Sequence, residues 1–192
     1  MHGKSSMLYL DNAATTPLLP EVRKVMINYM VDNFGNPSSI YKIGRMNKIA
    51  VEEARKSIAE TIGACPDDIF FTSGGTESDN WVLESAAESA TESDSAHIIV
   101  SAIEHPAVIN KCIQLKKRGC DVDYIKTDKN GIINTDDLIS KIRDDTKLIS
   151  VMLVNNEIGT IQPVKNVCNI AAEYAIPVSY THLRAHETRE DL

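Results

Sequence analysis

The order in which helical and strand-like segments follow one another constrains this chain more than any single motif. Val51, Ala54, Ile58 and Ile62 are spaced by three, four and four residues, with Glu52, Arg55 and Lys56 opposite them, which predicts an amphipathic helix stopped by Gly63. Ile69 to Thr72 reads as a short strand, Ser73-Gly74-Gly75 as a tight turn, and the chain from Thr76 as a second helix. The plan then repeats. Ile98 to Val100 is a strand; Glu104-His105-Pro106 opens a helix carrying Val108, Cys112 and Leu115, closed by Lys116, Lys117, Arg118 and Gly119. Asp121 to Lys126 alternates as an edge strand does, Asn130-Gly131 marks a turn, and Thr135 to Ile142 reads as a helix. Leu148 to Val154 is nearly all apolar and rich in β-branched residues, as expected of a central strand covered on both faces. Pro163 to Tyr174 reads as a last helix, and Ile176-Pro177-Val178 opens another strand.

Parallel neighbours need crossover connections, so this alternation predicts an α/β fold: a mostly parallel sheet with helices on both faces. The first residues do not join the alternation. Leu8 to Thr16 looks extended, Pro20 to Met30 helical, and Gly35-Asn36-Pro37 a loop. Residues 1–45 are therefore expected as a small separate piece, and 46–178 as the α/β domain.

Composition narrows the function classes. The 192 residues carry a net charge of −7, 43% hydrophobic and 24% charged side chains, as in a folded globule whose field repels nucleic acid and anionic lipid. No apolar stretch approaches the roughly 20 residues of a membrane span, and the N-terminus lacks a secretory pattern, so a cytoplasmic protein is expected. Cys65, Cys112, Cys120 and Cys168 are widely spread and read as reduced thiols, not as metal ligands.

In open α/β sheets ligands bind outside the carboxyl ends of the strands, which selects three polar clusters. In Ser73-Gly74-Gly75-Thr76, open amides around Gly75, Thr76 and Glu77 suit a phosphate; alternatively Thr76 is an ordinary N-cap paired with Asp79. His105 suits stacking or proton transfer, or is a plain helix-boundary histidine. In Asn155-Asn156-Glu157 one amide is free for a ligand oxygen and the other for holding the loop, or both are turn residues.

Five runs, in this order, resemble those of cysteine desulfurases: Tyr9-Leu10-Asp11-Asn12-Ala13-Ala14-Thr15-Thr16-Pro17, Phe34-Gly35-Asn36-Pro37-Ser38-Ser39, Phe71-Thr72-Ser73-Gly74-Gly75-Thr76-Glu77-Ser78-Asp79-Asn80, Glu104-His105, and Val154-Asn155-Asn156-Glu157-Ile158-Gly159. These are fold-type I pyridoxal-phosphate enzymes of the class V aminotransferase group. The resemblance spans residues 8 to about 178 and corresponds to the first half of a family member. It implies pyridoxal 5'-phosphate as cofactor, with Gly75 and Thr76 on its phosphate, His105 stacked on its ring and moving protons as the catalytic group, and Asn156 on its ring hydroxyl. It further implies L-cysteine as substrate, a sulfur-acceptor protein (an iron–sulfur scaffold or a tRNA-thiolation enzyme) as partner, and a homodimeric parent.

The resemblance breaks after Val178. The family would continue with the pyridinium aspartate, the Schiff-base lysine in a Ser-x-His-Lys run, the nucleophilic cysteine loop and a substrate-binding arginine; none is matched. Residues 179–192 resemble translated sequencing-adapter read-through and are expected as a non-native, disordered tail. Its His182 and His186, four apart, find no third ligand and are not read as a metal site. The fragment itself is expected to be inactive. The rival readings are another class V enzyme, such as a selenocysteine lyase, and a non-catalytic module that holds a phosphorylated ligand.

Overall fold

A helix with an apolar stripe needs a surface to cover, and the two halves of this chain meet that need differently. The computed structural model describes residues 8–10, 12, 15–89 and 95–181. The chain divides into two units, Met1–Phe71 and Thr72–Leu192.

The first unit holds helices α1 (Pro20–Val31) and α2 (Lys42–Ile62). Proline stands in the first turn of α1, where its missing N–H costs nothing, and Gly63 ends α2 in the left-handed conformation at φ +70°. Asn47 fastens the preceding loop to α2, donating from Nδ2 to Asn33 O at 2.6 Å and to Gly35 O. Gly44 is required there, because a Cβ would stand 2.6 Å from the carbonyl oxygens of both Asn36 and Ser39. The predicted stripe is present but uncovered: Ala54, Ile58 and Ile62 are exposed, and α1 buries no residue. Val25, Tyr29, Phe34, Pro37, Val51 and Phe71 line an open groove of about 810 Å³.

Residues Ile69 to Thr72 do not form a strand. Ile69 is tied locally instead, its N donating to Pro66 O at 3.2 Å and its O accepting from Arg55, and Phe70 and Phe71 stay exposed.

The second unit contains α3 (Gly75–Glu88), β1 (His97–Ser101), α4 (Pro106–Lys117), β2 (Asp121–Ile125), α5 (Thr135–Lys141), β3 (Thr146–Ser150), α6 (Val164–Glu173) and β4 (Val178–Ser179). Its sheet has the order β2-β1-β3-β4 with every pair parallel. The expected α/β class, the edge position of β2 and the central position of β3 are all present. Beyond β3, alternate amides continue the pairing, Val151 N donating to Ser179 O at 3.0 Å and Leu153 N to Thr181 O at 3.2 Å. Ser179 to Thr181 thus extend the β4 side, and the remainder of the 179–192 segment lies outside the described residues.

Period-two alternation puts helices on both faces. Ile98, Val100, Val122 and Leu148 pack with Leu83 of α3 and Val108, Cys112 and Leu115 of α4. Ile99, Ile125, Ile149, Val151 and Leu153 point the other way, onto Leu138 of α5 and Val164, Val167 and Ala171 of α6. Asn134 caps α5, its Oδ1 accepting from Asp136 N at 2.9 Å and Asp137 N at 3.1 Å. Asn134→Ala is expected to lower stability by about 1 kcal/mol in urea unfolding, whereas Asn134→Asp, which retains the acceptor, holds it near the parent value.

Candidate functional site

Helix α3 begins one residue earlier than its threonine suggested. Gly74 is the N-cap and makes no side-chain cap, so Thr76 is a first-turn residue and the Thr76–Asp79 pair does not form. The capping contact runs instead from Glu77, whose Oε2 accepts from Ser73 N at 2.7 Å and Ser73 Oγ at 2.6 Å. Those bonds hold the Glu77 carboxyl below its ordinary pKa. Glu77 N and Ser78 N turn back to Gly74 O, at 3.1 and 3.2 Å, so Glu77 N is not one of the open amides. The N–H groups of Gly75 and Thr76 have no acceptor among the described residues, and they open a 14-residue helix whose dipole favours an anion.

The turn after β1 places His105 at the helix boundary, as the following proline required. His105 is the N-cap of α4, its Nδ1 accepting from Ala107 N at 3.1 Å. That contact leaves Nε2 as the protonated nitrogen of a neutral ring. Glu104 beside it is buried at 6% exposure, and its Oε1 accepts from Met152 N, just past β3.

The turn after β3 divides the work of the two asparagines. Asn155 is the loop holder: its Oδ1 accepts from Glu157 N at 2.9 Å and Ile158 N at 3.0 Å, while Nδ2 donates to Ile103 O at 3.0 Å. Asn156 is partly buried, and its Nδ2 donates to the exposed Glu157 carboxylate at 3.0 Å.

Two cross-links, Glu104 to Met152 and Asn155 to Ile103, therefore join the exits of β1 and β3. Asp79, one turn into α3, is buried at 4% exposure where that helix packs on β1, β3 and α4, and its charge acts on Glu104. Burial pushes Asp79 up to about 6; for Glu104, burial and then the Asp79 charge outweigh the Met152 hydrogen bond and raise it to about 7. Asp79 Oδ2 and Glu104 Oε2 are both buried without a hydrogen-bond partner among the described residues. No pattern in the sequence pointed to this pair, since both acids stand in ordinary helix-start positions.

At the opposite end of β1, His97 is fully buried, with Nδ1 2.8 Å from Thr146 Oγ1. Its Nε2 lies 3.4 Å from Asp123 Oδ2 without hydrogen-bond geometry, and burial, aided by Arg143, lowers its pKa. None of the four cysteines is paired, and burial drives the Cys112 thiol up to about 12, which makes it inert. The described residues include no group of three potential ligands able to hold a metal ion.

A parallel sheet wound with helices on both faces, carrying a glycine-led helix start and two polar turns, is an open α/β domain. Residues 8–179 match the family described as Aminotransferase class-V, and the chain belongs to that family. The cysteine desulfurase IscS of Methanosarcina thermophila is 50% identical over 173 residues, 90% of this chain and 43% of that protein. The cysteine desulfurase IscS of Dictyoglomus turgidum is 48% identical over 181 residues, 94% of this chain and 45% of its own length. Among solved structures, a NifS-like protein superposes with a TM-score of 0.84 at 37% identity, over 88% of this chain and 47% of that one. The structure described as SspA in complex with cysteine superposes at 0.85 and 38% identity, over 90% of this chain and 49% of that one. The fold is thus an incomplete fold-type I α/β domain, and the chain spans about half the length of the relatives it matches.

Proposed function

We propose that this chain is the N-terminal half of a pyridoxal-phosphate-dependent cysteine desulfurase, which converts L-cysteine to L-alanine and passes the sulfur on as an enzyme persulfide. The carrying observation is the pair of open amides, Gly75 and Thr76, at a helix start that shares one rim with His105 and the Asn155-Asn156 turn. The donors fit the group. Two N–H groups at a helix N-terminus suit a phosphate, a neutral imidazole suits the face of a pyridine ring, and the Asn156 carboxamide suits a ring hydroxyl. The cofactor would supply the electron sink for cleavage at the substrate's sulfur-bearing carbon. In this reading His105 orients the ring and holds or moves a proton at Nε2, while Asn155 keeps the Asn156 turn in place.

The printed names of the relatives, and the cysteine complex among the similar structures, support L-cysteine as substrate. A sulfur-acceptor protein, a homodimeric parent and a cytoplasmic setting belong to the same proposal; no helix among the described residues is long and apolar enough to cross a membrane. The chain by itself is proposed to bind without turning over, because none of its residues stands in a lysine- or cysteine-bearing motif of that reaction.

Amide chemical shifts of the 192-residue chain test the assignment during titration with pyridoxal phosphate. Shifts confined to Gly75, Thr76, the His105 turn and Asn156, and absent with pyridoxal lacking the phosphate, are expected. Saturable binding that leaves the Gly75 and Thr76 amides unmoved would overturn it.

A further inference from the structure

We propose that Asp79 and Glu104 are held with one proton between them at neutral pH, and that Glu104 in this state is a positioning residue, pinning the His105 turn to the exit of β3. The inference rests on the functional reading above for the meaning of the turns it pins, whereas the proton is argued from the burial of both side chains and their unpartnered oxygens.

Both side chains are more than nine-tenths buried. Glu104 uses one oxygen, Oε1, to accept from Met152 N; its Oε2 and the Oδ2 of Asp79 have no hydrogen-bond partner among the described residues. A buried carboxylate oxygen without a donor carries charge that nothing compensates, and the Asp79 charge acting on Glu104 adds to that cost. The groups facing the pair offer no relief. Asp79 comes from α3 and Glu104 from the β1–α4 turn, both acidic; α4 contributes the Cys112 thiol, which itself feels the Glu104 charge, and the exit of β3 contributes only the Met152 amide. No Lys, Arg or His among the described residues acts on either carboxyl. The economical state is one in which a proton on an unpartnered oxygen neutralises one acid while Oε1 still receives the Met152 N–H. Loss of that proton leaves two buried charges, which are relieved by swinging Glu104 toward water, and this loosens the turn that carries His105.

Carboxyl carbon shifts of the 192-residue chain, followed from about pH 4 to pH 9, read the pair directly, together with Glu104→Gln and Asp79→Asn. In the unchanged chain both midpoints are expected at least one unit above ordinary carboxyls, and each substitution should lower the other acid's midpoint by half a unit or more. Amide exchange reads the positioning: protection at Met152 should fall about tenfold as the pair ionises, and should stay constant with pH in Glu104→Gln, whose neutral carboxamide retains the acceptor. Ordinary midpoints in the unchanged chain, or an Asp79 midpoint indifferent to Glu104→Gln, overturn the shared proton. Equal Met152 protection above and below the midpoint overturns the positioning role. None of these readouts uses pyridoxal phosphate, so their failure leaves the cofactor assignment intact, and failure of the cofactor titration leaves the carboxyl pair standing.

Discussion

Ile99→Ala is expected to lower the unfolding free energy of the chain by about 3 kcal/mol, a large part of the margin of a domain this size. Ile99 lies mid-strand in β1, which is flanked by β2 and β3, and its side chain is wholly buried among Ile125, Ile149, Val167 and Ala171. Truncation removes three carbons from a face shared by the sheet and α6, and strands bonded on both sides cannot collapse to fill the gap. Ile139→Ala, on an exposed position of α5, should change stability by no more than about 0.5 kcal/mol. Urea unfolding of both variants decides it; equal losses would mean that β1 is not the centre of the core.

The second large effect is a stability that falls as the solution becomes more alkaline. Glu104 rises from 4.5 to about 7 in the folded chain, so its stabilising contribution is fully present below pH 4.5 and is lost as pH climbs through 7. A shift of that size corresponds to about 3 kcal/mol between about pH 4 and pH 8. Asp79, raised to about 6, adds a loss of the same sign. Other groups oppose it. His97 is lowered by burial, so its contribution disappears as pH falls, and Glu84 and Asp121, held low by Lys111 and Arg143 respectively, behave likewise. Comparison with Glu104→Gln cancels those groups: the variant should gain on the parent by roughly 3 kcal/mol from about pH 4 to pH 8, and a constant difference across that range would refute the buried acid.

What the sequence made legible was mostly local. Pro106, Gly63, Gly119 and Asn130-Gly131 act through their own backbone preferences, so helix ends and turns could be placed from them alone. The face alternation around Ile98 and Ile99 was equally readable, because side-chain direction in a strand has period two. The apolar run Ile69 to Thr72 misled because Ile69 is tied to Pro66 and Arg55 in place of a sheet ladder. The cap of α3 misled for a related reason: several hydroxyls and acids stand within bonding reach, and Glu77 captured Ser73 before Thr76 could cap. Adjacent asparagines carry the same chemistry in sequence, and only the direction of β3 assigned Asn155 to Ile103. The Asp79–Glu104 pair depends on long-range packing of α3 over two strand exits, which no local pattern encodes.

The two tethers between the strand exits have a mechanical corollary. With the Asn155 amide committed to Ile103 and the Glu104 carboxyl to Met152, neither turn can tilt without dragging the other. A flat guest wedged against the imidazole would therefore stiffen the asparagine side as well, so the two walls around it would tighten as one jaw.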